Sequence, residues 1–175
     1  MYFYEHFIGM RNFIIVFFFV FLSCNDNNAD NKTVIQKSDM NKVQQHAAVL
    51  KLDKLSKEKI KTWSEYESAT KNLEQFLSIS PNEALNNALT LSEKMKFLKD
   101  SIRPKELLNL SFKTRVNVLE NETLRLKDMT LITAITAKEV NTQVDKILSA
   151  LSATNSKINI IYAQLEVEQD IEKIH

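Results

Sequence analysis

The chain has 175 residues, with 23 lysines and arginines against 22 aspartates and glutamates. No basic cluster stands apart from neighbouring acids, which excludes a surface built to hold a polyanion such as nucleic acid. A single glycine, Gly9, and two prolines, Pro81 and Pro104, leave no glycine for hairpin turns, phosphate loops or nucleophile elbows beyond the first few residues, and a chain dominated by Leu, Lys, Glu, Asn and Ala points to an all-α fold.

The first element is the apolar run from Phe13 to Leu22. At about ten residues it has the length of a secretory h-region and falls short of the ~20 that a transmembrane helix needs. Arg11 supplies the positive flank, and Ser23 is the small residue that signal processing requires. Met10 is the expected initiator, because Glu5 and several aromatic residues make a poor leader before it. Cys24, the only cysteine, stands where the run stops. The sequence Phe21-Leu22-Ser23-Cys24 resembles the cleavage box of bacterial lipoproteins, and residues 1–23 resemble their signal peptide. That resemblance implies export, cleavage between Ser23 and Cys24, diacylglycerol on the sulfur and a third acyl chain on the new amino terminus. Each buried methylene contributes ~0.8 kcal/mol, so several chains make release negligible. The implied address is the cell envelope, with the outer membrane as the expected anchor and a periplasmic or surface-facing body. Lipid would consume the thiol, so no disulfide is expected.

Residues 24–40 are polar and lack apolar periodicity, which predicts a flexible tether. Asp26 and Asp30 either resemble the acidic export signal of some Gram-negative surface lipoproteins or belong to an ordinary solvated linker, and composition favours the linker. Residues 41–175 make one helical domain. Val43, Ala47 and Leu50 are spaced for a weak helix, with His46 on the same side. Ile60, Trp63, Tyr66, Leu73 and Phe76 then mark an amphipathic helix from Ser56 to near Leu77.

Ser80-Pro81-Asn82-Glu83 is a capping box with proline in the first helical position. The helix it starts places Ala84, Ala88, Leu91, Met95, Leu98 and Ile102 in alternating steps of four and three, a coiled-coil-like seam. Arg103-Pro104 interrupts the pattern as a tight corner or a kink, and Pro104 suits the first turn of a new helix. That helix runs to about Ile132, with Leu108, Phe112, Val116, Leu119, Leu126 and Met129 inward. Thr136-Ala137-Lys138-Glu139 is a second capping box, stapled by Ile135 and Val140. The last helix carries Val140, Val144, Ile147, Leu151, Thr154, Ile158, Ile161 and Leu165 in heptad register to about Ile171, ~50 Å in all. Short connections between long helices favour antiparallel neighbours, so the expected architecture is an up-down bundle of about four helices ending in a long helical hairpin.

Catalytic constellations are thin. After the leader only His46 and His175 remain, neither in a nucleophile–base spacing, and the expectation is a protein that is not an enzyme. Glu172-Lys173-Ile174-His175 has the Glu-x-x-His form of di-iron bundles, but such sites need a second motif and two further glutamates, so neither metal nor other cofactor is expected. Three surfaces could receive a partner. Arg115, Glu122, Arg125 and Asp128 share a helix flank, where Arg125 beside Leu124 and Leu126 suggests partly buried ion pairs, although salt-bridged flanks are usually only solvated. Ser152, Asn155, Asn159, Tyr162 and Glu166 form a polar strip beside the last seam. Trp63 with Tyr66 belongs to the core, or to a groove if the indole is partly exposed.

The sequence therefore predicts a lipid-anchored helical module that binds an envelope protein or serves as a structural element. A ligand-binding or sensory bundle and a periplasmic helical chaperone are the alternatives.

Overall fold

A computed structural model describes residues 39–174. The expected signal peptide, Cys24, almost all of the tether and His175 lie outside these residues. Five α-helices follow one another among the described residues: α1 (Lys54–Ile60), α2 (Ser64–Glu74), α3 (Pro81–Asp100), α4 (Leu110–Met129) and α5 (Ala137–Ile174). The only strands among them are two residues each, β1 (Gln44–Gln45) and β2 (Ser78–Ile79), paired antiparallel with Gln44 opposite Ile79. The fold class is all-α, as composition required.

Both capping boxes form. Ser80 Oγ accepts from the Glu83 amide at 3.4 Å, and the Glu83 carboxylate accepts from the Ser80 amide at 3.0 Å. Thr136 and Glu139 repeat the exchange at 3.3 and 2.9 Å. In each box the hydrogen bonds received from the capping residue hold the glutamate below the usual carboxylate range. Asp53 caps α1 by accepting from the Ser56 amide, and Asn109 caps α4 by accepting from the Phe112 amide.

Helix ends follow from the missing glycine. No described residue has positive φ, so the left-handed glycine cap is not used in this part of the chain. Helices instead close in right-handed turns, as at Lys61 and Thr130, or in a short 3-10 turn, as at Gln75–Leu77.

Three sequence expectations are corrected. Residues 44–53 are not a weak helix; they run extended from β1 to the cap of α1. The helix expected from Ser56 to Leu77 is broken at Lys61–Trp63, and this corner turns the indole of Trp63 inward to 1% exposure. There it lies 5.3 Å from the Tyr66 ring and 6.1 Å from the Phe112 ring, and its N–H donates to Ser101 Oγ at 3.3 Å. At Pro104 the chain makes a corner, not a kink. The 3-10 turn after it delays the new helix to Leu110, which buries Leu107 and leaves Leu108 exposed.

The seams are buried as expected. Ala84, Ala88, Leu91, Met95 and Leu98 of α3 are inside, as are Phe112, Val116, Leu119 and Leu126 of α4. α4 packs on both α3 and α5, α2 packs on α3, and α1 packs on α5. Thr154 sits in the α5 seam at no polar cost, because its hydroxyl donates to the Ala150 carbonyl of its own helix at 2.9 Å. Among the described residues no helix is long and apolar enough to cross a membrane.

Candidate functional site

The polar strip of α5 does not face solvent along its length. Residues 46–53 lie on it as an extended strap. His46 Nδ1 is 2.7 Å from Asp145 Oδ1, and since a carboxylate only accepts, Nδ1 carries the proton. The Leu50 amide donates to Ser152 Oγ at 3.1 Å, and Asn155 Nδ2 donates back to the Leu50 carbonyl at 2.7 Å. Asn159 closes the series, accepting from the Asp53 amide at 3.1 Å and donating to the Lys51 carbonyl at 3.2 Å. The repeat distances explain the fit. Seven steps of extended chain from 46 to 53 cover ~23 Å at about 3.3 Å each, and fourteen helical steps from 145 to 159 cover ~21 Å at 1.5 Å each.

The strap, α1, α2 and α5 enclose a cleft of about 720 Å³. Val49 and Leu52 of the strap, Ile60 of α1, Trp63 of the corner, Leu73 of α2, Leu77 of the 3-10 turn and Leu151 of α5 give it apolar walls, while Lys57, Lys61, Glu67 and Glu74 stand among its polar residues. A volume of this size is within the ordinary range for small-molecule sites. Tyr66 and Asn155 also line it, and the Tyr66 hydroxyl donates to Asn155 Oδ1 at 2.6 Å. Burial raises the Tyr66 hydroxyl well above its ordinary value, so it is a donor at neutral pH.

The α4 flank is simpler than its sequence suggested. Arg125 pairs with Glu122 at 3.3 Å; the Arg125 side chain is 63% exposed and the Glu122 side chain 16%, so the pair is buried on its acidic side only. Arg115 and Asp128 are exposed on the same helix. The inward partner of Glu122 is Gln143, whose Nε2 donates both to its carboxylate and to its carbonyl at 2.8 Å. The flank is tied to α5 through an amide, not an arginine.

The chain matches no protein-family model, no curated protein and no solved structure. The functional reading therefore rests on the residues themselves.

Trp63, Tyr66 and Asn155 line one cleft and Asn159 holds the strap beside it, whereas Arg115, Glu122, Arg125 and Asp128 form a separate flank. Tyr162, one turn beyond Asn159, is buried, and burial together with the nearby Glu106 charge pushes its hydroxyl up to about 12. Ser23 and Cys24 lie outside the described residues. Among the described residues no group of three or more His, Cys, Asp and Glu side chains gathers in a metal-binding cluster, and the Glu172-x-x-His175 motif ends outside them. Sequence reasoning did not reach the His46–Asp145 pair, Ser152 as the acceptor for Leu50, or Gln143 as a buried amide. The one available signal was His46 in register with Leu50, because both belong to the strap.

The C-terminal end of α5 leaves the body. Leu165 is the last residue that packs partly against the core, and every described residue after it is exposed. Val167 at 59%, Ile171 at 52% and Ile174 at 81% present three β-branched side chains to solvent.

Proposed function

We propose that this chain is a membrane-anchored interaction module of a bacterial envelope. Lipid on Cys24 would hold it, residues 24–40 would set its reach, and the helices of residues 41–175, stacked as an antiparallel up-down bundle, would present its binding surfaces. The observation that carries the reading is the exposed end of α5, since a row of solvated Val and Ile on a projecting helix is costly unless another surface covers it. Anchoring and interaction are tested together by replacing Cys24 with alanine, fractionating cells and crosslinking in the envelope. The expected result is loss of the protein from the membrane fraction and loss of its crosslinked partners. Unchanged membrane association of Cys24→Ala sinks the anchor.

A ligand-binding body is the second reading, and the cleft beside Trp63 favours it. On that reading the strap is the removable wall of the site.

A further inference from the structure

We propose that the free end of α5 is a docking face for a basic amphipathic helix, a proposal that rests on the interaction-module reading and names the chemistry of the partner. At 100° per residue, Ile160, Gln164, Val167, Ile171 and Ile174 fall within an arc of about 80°. Their steps of four, three, four and three residues are those of a coiled-coil seam, with Gln164 and Ile171 at a positions and Ile160, Val167 and Ile174 at d positions. All five are exposed, the described helix persists to Ile174, and the rest of the body ends before it.

Charge selects the occupant. Glu168 and Asp170 flank the seam on opposite sides at the e and g positions, with Glu166 and Glu172 behind them. Lys173 is the one cation among residues 163–174, and it turns back onto Asp170 at 2.9 Å. A second copy fits poorly: an antiparallel pair sets acidic flank against acidic flank, and a parallel pair sets Glu168 beside Ala163. An anionic membrane fits no better, because a membrane-surface helix carries a wide apolar face bordered by Lys and Arg. A helix with a narrow apolar seam and Lys or Arg at its own flanking positions satisfies both features. Gln164 adds selectivity, since a polar residue at one a position rewards a polar mate in one register.

The test titrates purified full-length protein with two synthetic helices about three heptads long. They share an Ile/Leu seam containing one Asn and differ only in Lys or Glu at every e and g position. The Lys-flanked helix is expected to bind about tenfold tighter, with the advantage shrinking as salt rises. Val167→Asp with Ile171→Asp should abolish its binding while leaving the helical signal and melting temperature of the body unchanged. Glu168→Lys with Asp170→Lys should reverse the preference between the two helices. Equal binding of both helices, binding of neither, or binding that survives the Asp pair overturns the proposal. Self-association lost in the Asp pair overturns it in favour of a second copy. A photo-crosslinker at position 125 separates the two readings: when the helices fail, a partner captured there leaves the module standing, and no capture at 125 or 171 removes both.

Discussion

Tyr66 and Tyr162 are both buried, yet their hydroxyls are in opposite situations. Tyr66 donates to Asn155, which in turn holds the strap at Leu50, whereas the Tyr162 hydroxyl is buried without a hydrogen-bond partner among the described residues. Removing one member of a buried pair strands the other, at ~1–3 kcal/mol, whereas removing a hydroxyl that has no partner strands nothing. Tyr66→Phe is therefore expected to destabilise the protein by ~1–3 kcal/mol, and Tyr162→Phe to change stability by less than ~0.5 kcal/mol or raise it. Urea unfolding of the two variants decides the matter, and equal losses refute the assignment. Tyr162 also has a signature at high pH. Its folded value is above its unfolded value, so the folded state holds the proton more tightly; that stability is full below pH ~10 and is lost as pH rises towards about 12. Tyr162→Phe should reduce this alkaline loss and leave the part due to Tyr66, whose hydroxyl burial also raises. Sequence placed Tyr66 with Trp63 in the core or a groove and read Tyr162 and Asn155 as parts of a surface strip, but burial depends on what covers a residue. For Asn155 the cover is Leu50, 105 positions away.

At the scale of elements, what was legible was local. Ser80 to Glu83 and Thr136 to Glu139 carry their starting signals within four residues, and both helices begin where those signals place them. The break at Lys61–Trp63 carries no proline or glycine; it follows from burying Trp63 against Tyr66 and Phe112, and Phe112 is some fifty residues distant. The caps make a pH prediction whose sign is fixed. Both glutamates have folded values below their unfolded ones, so their contribution is present above the ordinary carboxylate value and is lost as pH falls through the lowered folded value. The parent protein should lose melting temperature from about pH 5 downward. Glu83→Gln and Glu139→Gln keep the shape of the cap without its charge. Each should melt lower than the parent at pH 7 and show a smaller drop on acidification. Glu65, lowered chiefly by its hydrogen bond from Arg103, should leave a residual acid loss in both variants. A drop identical to the parent's in Glu83→Gln and Glu139→Gln would falsify the charged-cap account.

For the whole molecule, heptad seams foretold the three long helices and their buried faces, but nothing periodic foretold the strap. An extended segment of eight mixed residues has no apolar alternation to read, and its partners lie about a hundred positions downstream. The strap is also held differently from the core. His46 Nε2 is buried with no hydrogen-bond partner among the described residues, and the strap is tied by the His46 amide donating to the Leu77 carbonyl at 2.9 Å, by hydrogen bonds between its backbone and α5 side chains, and by Leu52, its one residue buried in the core. Such a segment should open without unfolding α3, α4 and α5, because it is held by a few bonds of ~1 kcal/mol each and a single buried leucine, Leu52. Hydrogen exchange reads this directly at the Leu50 and Asp53 amides, which donate to Ser152 and Asn159. Ser152→Ala should speed exchange at Leu50, and Asn159→Ala at Asp53, by about fivefold per lost bond, with the α5 core amides unchanged. Strap opening would also uncover the cleft wall beside Trp63, so the same variants should let a neutral quencher reach the only tryptophan more readily. If the Leu50 and Asp53 amides exchange only together with the core, the strap is part of one cooperative unit, and the cleft behind it has no door.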